Sequence, residues 1–234
     1  MAHSWFRAAI TSLRGKYSVL LIAFLVFFLV GPLADLLLAE GRFGGLLFEL
    51  LSIVLLLAAL YAVSAARVPL IIAGILTVPV MVGRLASYFE KSSALFEMSD
   101  GFSFLALAVV AVAILRQVLE AKRVSRDVVE GAVCVYILLG AAWAFLFSFV
   151  ETFHPGAFQL PPPHTISALP VVDEARQRFI YYSFVTLTTV GYGDITPVAP
   201  LAQRLAVLEA MFGQLYLGIL IARLVGLHIA QTPQ

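Results

Sequence analysis

Six apolar windows, near residues 17–38, 45–66, 68–89, 102–119, 128–150 and 201–227, constrain the fold more than any other feature of this chain. Each is long enough to cross the ~30 Å hydrocarbon core of a bilayer as a helix. Lipid offers the backbone no hydrogen-bond partner, so a spanning segment must satisfy its own amides and carbonyls, as a helix does. The chain is 62% hydrophobic and 12% charged, against about 25% charged residues in soluble domains. The expected class is therefore an all-α membrane protein with six transmembrane helices. The third window is the weakest, because Pro69, Gly74, Pro79 and Gly83 interrupt it.

Charge placement favours six spans over five. Arg7, Arg14 and Lys16 precede the first window, Arg67 lies between the second and third, and Arg116, Lys122, Arg123 and Arg126 lie between the fourth and fifth. Six spans put all of these on one side. The other side receives Arg42 and Lys91 with Glu40, Glu90, Glu97 and Asp100. The positive-inside rule then places both termini in the cytoplasm of a multi-pass plasma-membrane protein. The run from Tyr17 to Leu38 is too long for a signal core and reads as the first helix. A net charge of +1 gives no bulk attraction to nucleic acid. Cys134 is the only cysteine, which excludes an intrachain disulfide and reads as a small buried hydrophobe.

Between the fifth and sixth windows lies Phe179-Ile180-Tyr181-Tyr182-Ser183-Phe184-Val185, apolar but too short to span, so it reads as re-entrant. Thr186-Leu187-Thr188-Thr189-Val190-Gly191-Tyr192-Gly193-Asp194 follows, then Pro197, Pro200 and the last window. A dehydrated cation needs oxygens in place of its water. The carbonyls of Thr189, Val190, Gly191 and Tyr192, with the Thr189 hydroxyl, supply stacked oxygens if they face one axis. Glycine enters positive φ without a Cβ clash, so Gly191 and Gly193 permit this, and Tyr192 then points away and braces the loop.

This run resembles the selectivity filter of the tetrameric potassium-channel superfamily; its core, Thr189 to Gly193, is the filter sequence by which such channels are known. The resemblance implies K⁺ conduction by an ion channel with Thr189, Val190, Gly191, Tyr192 and Gly193 around the ion and no further metal or cofactor. One loop cannot encircle an ion, so three identical subunits are implied as partners in a homotetramer, with membrane lipids around it and no nucleic acid or soluble ligand. It argues against transporters that carry four such loops in one chain. The layout resembles six-span voltage-gated relatives: residues 1–125 as a four-helix front part, residues 126–234 as the pore, with outer helix, turret, pore helix, filter and inner helix.

Residue roles follow from the same resemblance. The pore helix is expected from about Gln177 to Thr188. Tyr181 and Tyr182 occupy positions of paired aromatics that cuff the filter. Val185 stands where some bacterial relatives carry a glutamate coupled to the filter aspartate, so that coupling is not expected here. Asp194 forms an acidic ring at the outer mouth, or pairs with Arg176 or Arg178. Gly213 matches a hinge glycine, with close helix packing as the alternative for Gly213 and Gly218. Leu217, Leu220, Ile221 and Leu224 are expected to line the cavity or an apolar gate. Glu209 lies about two turns into the last window, where a carboxylate needs a partner; Ser183, Thr186 or Thr188 behind the filter are expected.

The front part departs from voltage-gated relatives. Residues 102–115 of the fourth window hold no arginine, so a steep voltage response is not expected. Glu120 to Glu130 reads as an amphipathic interfacial linker or a solvated loop. Asp35 and Glu49 read as interface residues and Arg223 as a snorkelling anchor, with an intracellular charge ring as the alternative. The turret, Thr152 to Ala175, is expected to be exposed, its triple proline extended, and its His154 and His164 ordinary loop residues. His3, His154, His164 and His228 are scattered and no nucleophile is evident, so an enzyme is not expected. Only Ile229 to Gln234 follow the last window, so a cytosolic regulatory domain would have to come from another chain. The rival to a channel is a non-conducting sensor or assembly subunit that uses the pore fold as a tetramerisation platform.

Overall fold

The computed structural model describes residues 15–37, 43–89, 94–161 and 171–231, and these are mostly helical. Its described helices are α1 (Lys16–Leu37), α2 (Phe43–Ala62), α3 (Arg67–Phe89), α4 (Ala94–Glu120), α5 (Arg126–Phe153), α6 (Val171–Leu187) and α7 (Pro200–Gln231). A two-residue antiparallel pair, β1 (Phe158–Gln159) with β2 (Thr196–Pro197), ties the segment after α5 to the segment after the filter run. Arg7, Arg14, Glu40, Arg42, Glu90, Lys91, His3, His164 and the second and third prolines of the triple lie outside the described residues, as do the side chains of Asp35, Glu49, Glu97 and His228.

Among the described residues, four stretches are long and apolar enough to cross a membrane: Arg67–Arg84, Met98–Glu120, Arg126–Phe153 and Pro200–Leu227. α1 and α2 contribute shorter apolar runs among the described residues, Lys16–Val30 and Leu50–Ala62. Length and composition thus make this a multi-pass membrane protein. α3 runs unbroken through its prolines: Pro69 falls in the first turn, where no intrahelical N–H is needed, and interior Pro79 is tolerated.

Two boundaries differ from the sequence reading. α4 starts at Ala94 and not near 102, and α6 starts at Val171 and not at Gln177. Polar residues in both early turns hide these starts from a hydropathy window. Of the two readings of Glu120–Glu130, the loop is the one found, and it is shorter than that range. α4 runs to Glu120, residues 121–125 form a short non-helical connector, and Ser125 caps α5 by accepting from the Val128 amide at 3.3 Å. Asp127 in the first turn complements the positive helix end. Arg126 and Glu130 then pair within α5 at 2.6 Å.

α5 is the central helix, packed on α1, α4, α6 and α7. Its Val135 and Leu138 share one buried cluster with Leu20 and Phe24 of α1 and Leu107 and Ile114 of α4, so the apolar core runs across residue 125. Gly131 and Gly140 allow close approach: a Cβ at Gly140 would meet the Phe184 ring at 2.8 Å.

Polar contacts gather at the two ends of the bundle. At one end Lys16 Nζ donates to Ser64 Oγ (3.1 Å), Tyr17 to Gln117 (2.7 Å) and Ser18 to Glu130. At the other, Arg176 pairs with Asp100 at 2.7 Å and Arg178 donates to the Pro161 carbonyl at 2.7 Å.

Candidate functional site

The filter run begins where α6 unwinds. The amides of Thr189, Val190 and Gly191 fold back onto the carbonyls of Thr186 (2.9 Å), Val185 (2.9 Å) and Val185 (3.3 Å). From there φ is positive at every second residue: Thr189 at 60°, Gly191 at 57° and Gly193 at 79°. In an ordinary strand successive carbonyls point to opposite sides. Alternating left- and right-handed residues reverses every second peptide plane and brings the carbonyls to one side. A Cβ at Gly191 or Gly193 meets nothing within 4 Å, so backbone angle and not space requires glycine there.

The sequence reading foresaw positive φ at the glycines and missed it at Thr189. A β-branched residue in this region is strained, typically by ~1–3 kcal/mol. The surrounding turn bonds hold it, with a long contact of 3.4 Å from Gln214 Nε2 of α7 to Thr189 Oγ1. Thr188 is exposed and its hydroxyl turns back to the Phe184 carbonyl at 2.6 Å.

The paired tyrosines separate. Tyr181 stacks on Tyr192, with ring centroids 6.5 Å apart and planes 3° from parallel, and its hydroxyl lies near the Asp194 carboxylate. Tyr182 does not join this cuff. It is buried edge-on against Phe147 (5.1 Å) and Phe158 (5.4 Å), in a second core that also holds Phe179 and Ile195. Neighbours on a helix point about 100° apart, so one tyrosine faces the filter and the next faces α5. Of the two arginines considered as partners of Asp194, Arg176 pairs with Asp100 and Arg178 donates to the Pro161 carbonyl.

Behind α6, Glu209 of α7 is 0% exposed. Its Oε1 lies 2.5 Å from Ser183 Oγ, which lies 2.7 Å from the Gly140 carbonyl of α5. A hydroxyl has one proton. Both short contacts are satisfied together when Ser183 donates to Gly140 and a protonated Glu209 donates to Ser183. Glu209 Oε2 has no hydrogen-bond partner among the described residues, which suits a neutral acid better than a buried carboxylate. Of the three partners expected from sequence, Ser183 is the one in contact.

On α7, Gly213 has a packing role: a Cβ there would meet the Leu187 carbonyl oxygen at 2.4 Å. Tyr136 donates to the same oxygen at 3.3 Å and stacks on Tyr216, which donates to the Ala132 carbonyl at 2.6 Å. Gly218 has open space within its own subunit. Leu220 was expected at the cavity, but it packs against the core of α1–α5. Ile221 is exposed, and Leu217 and Leu224 are half-buried. Arg223 is neither a simple snorkelling anchor nor a ring charge here. Its Nη2 donates to the Leu119 carbonyl and, at 3.1 Å, to that of Ala121, so it caps the end of α4.

Sequence reasoning missed Tyr136, Gln214 and the Asp100–Arg176 pair. A lone phenol or amide in an apolar window was the available signal for the first two, since such groups need partners when buried.

Comparison with known proteins bears on the same segment. Residues 176–228 match a family described as Ion channel. Over 105 residues the chain is 32% identical to Two-pore potassium channel 5 of Arabidopsis thaliana, covering 44% of this chain and 22% of that relative. The chain thus spans about a fifth of the length of the curated relative it matches. The filter run lies inside the segment that matches the Ion channel family, and this relative carries the name of a potassium channel, so both comparisons support membership of the potassium-channel superfamily.

Proposed function

We propose that this chain is one subunit of a homotetrameric, K⁺-selective channel of the plasma membrane that conducts passively and needs no cofactor. The observation that carries this reading is the alternation of positive φ at Thr189, Gly191 and Gly193, which turns neighbouring carbonyls to one side. A single subunit offers only one wall of oxygens. Four walls about an axis complete each cage and replace the hydration shell of K⁺ at Thr189, Val190, Gly191 and Tyr192. Val190 and Tyr192 are exposed in the single subunit, together with Leu208, Met211, Phe212 and Leu215 of α7, which supports burial of this face against neighbouring copies.

In this reading α6 is the pore helix. Its C-terminal carbonyls carry partial negative charge and favour a cation below the filter. Tyr181, Asp194, Ser183 and Glu209 support the filter from behind, and α7 is the inner helix, with Gly218 and Ile221 open to neighbours or cavity. Residues 126–234 are the pore part and residues 1–125 the front part. Counting α1 and α2 as spans gives six, with both termini cytoplasmic. The contacts joining Lys16, Ser64, Gln117 and Glu130 put the basic segments at one end of the bundle, in keeping with this orientation. Steep voltage gating is not part of the reading, because residues 102–115 bring no charge into the field.

Recording purified protein in planar bilayers under bi-ionic K⁺/Na⁺ conditions tests the proposal. A reversal potential displaced strongly toward K⁺ is expected. Equal permeability would reject selectivity, and a trimeric or dimeric particle would reject the cage geometry.

A further inference from the structure

Asp100 lies near the start of α4, outside the segment that matches the channel family, and no part of the filter reading uses it. It is nonetheless the hub of a buried polar cluster joining three helices. Its Oδ1 pairs with Arg176 Nη2 of α6 at 2.7 Å, and its Oδ2 accepts from Ser148 Oγ of α5 at 2.6 Å. Arg176 Nη2 also donates to Ser99 Oγ of α4 at 3.1 Å. Asp100 is 4% exposed and Arg176 3%, so neither charge is solvated by water. A buried ion pair adds little net stability compared with apolar packing, yet breaking it strands a charge, so its main effect is to fix geometry. The helices cannot slide easily beside it: a Cβ at Gly101 would meet the Phe149 ring at 3.0 Å.

Arg176 sits in α6, the helix that runs on to Leu187 and the filter run. A rigid helix transmits any tilt or axial shift at Arg176 to Thr188 and Thr189, three turns away. The β1–β2 bridge and the Tyr181–Asp194 contact hold the filter's far side, so α6 is the support that the front half of the chain reaches directly. We propose that Asp100 is a positioning residue for the filter, holding α6 in place through Arg176 and thereby tying the front helices to ion selection. This rests on the channel reading above and extends it to a residue outside the pore part.

The test uses the full-length protein in bilayers, reading the K⁺/Na⁺ permeability ratio and single-channel burst duration, with tetramer assembly followed by size-exclusion chromatography. Asp100→Asn is expected to assemble and to shorten bursts or lower the permeability ratio roughly tenfold, the middle of the coupling range for directly paired residues. The exchange Asp100→Arg with Arg176→Asp should recover most of that loss, which a merely space-filling role would not allow. Ser148→Ala, which keeps both charges, should shift the same readouts in the same direction by a smaller factor. If Asp100→Asn fails to assemble, Ser148→Ala and Asp100→Glu decide the matter. Permeation like the unaltered protein in Asp100→Asn, or in both milder variants, overturns the inference while leaving the channel reading intact. Absence of K⁺ selectivity in the unaltered protein is instead a failure of the channel reading.

Discussion

Gly213→Ala separates packing from bending in α7. The added Cβ would lie 2.4 Å from the Leu187 carbonyl oxygen and 2.9 Å from Leu187 Cδ1. Carbon and carbonyl oxygen ordinarily stay ~3.3 Å or more apart, so α7 or the end of α6 must retreat by about 1 Å. The Leu187 oxygen is backbone and already accepts from Tyr136, so no flexible side chain can absorb the shift. Overpacking of this kind costs about 1–3 kcal/mol per subunit. Alanine also gains about 1 kcal/mol of helix propensity over glycine, leaving a net loss of up to ~2 kcal/mol. Gly218→Ala is the control: its Cβ meets nothing within 4 Å in its own subunit, so it keeps the propensity gain without the clash. Thermal melting of the detergent-solubilised protein should rank Gly213→Ala below the unaltered chain and Gly218→Ala at or above it. Bi-ionic recordings should show the Gly213→Ala variant less selective, because Leu187 lies two residues before Thr189. Equal stability of the two variants, with a lower open probability only for Gly213→Ala, would refute the packing argument and favour a hinge.

Glu209→Gln keeps a hydrogen-bond donor toward Ser183 and should change stability by less than ~1 kcal/mol, whereas Ser183→Ala takes the shared partner from buried Glu209 and the Gly140 carbonyl and should cost about 1–3 kcal/mol in the same melting assay. Infrared difference spectra should show a protonated-carboxyl band that disappears in Glu209→Gln. One charge crossing the field is worth about 2.3 kcal/mol per 100 mV, so open probability should change by less than ~50-fold over 100 mV in voltage-step recordings. Arg223→Gln removes the cap on the Leu119 and Ala121 carbonyls and should lower thermal stability by ~1 kcal/mol while leaving the K⁺/Na⁺ permeability ratio unchanged.

The membrane class, the central helices and the filter run were legible because they rest on local signals: long apolar windows and a positive-φ pattern marked by glycine. The φ of Thr189 was not, because a threonine side chain carries no mark of a left-handed backbone; the turn bonds from Thr186 and Val185 impose it. Glu209 was conspicuous as an acid in an apolar window, which made a partner in the filter helix predictable down to three residues. Asp100 and Arg176 looked like ordinary outer-loop charges, since hydropathy windows stop short of where α4 and α6 begin. Adjacent Tyr181 and Tyr182 look alike in sequence, and only the docking of α6 on α5 sends them to different faces. The turn at 121–125 stood as one of two open readings because its charges alternate with valines as they would on an amphipathic helix; Ser125 as a helix cap was the overlooked signal.

That brief turn also limits how copies of the chain can be interwoven. Even fully stretched, residues 121–125 reach no more than ~20 Å, and α4 lies flush on the α5 that follows it. In the tetramer proposed above, each front bundle would therefore stay with the pore elements of its own polypeptide, making each copy a self-contained wedge. In particles assembled from mixed copies, a lesion in one front bundle should act first on its own quadrant, so its severity should rise step by step with the number of altered wedges.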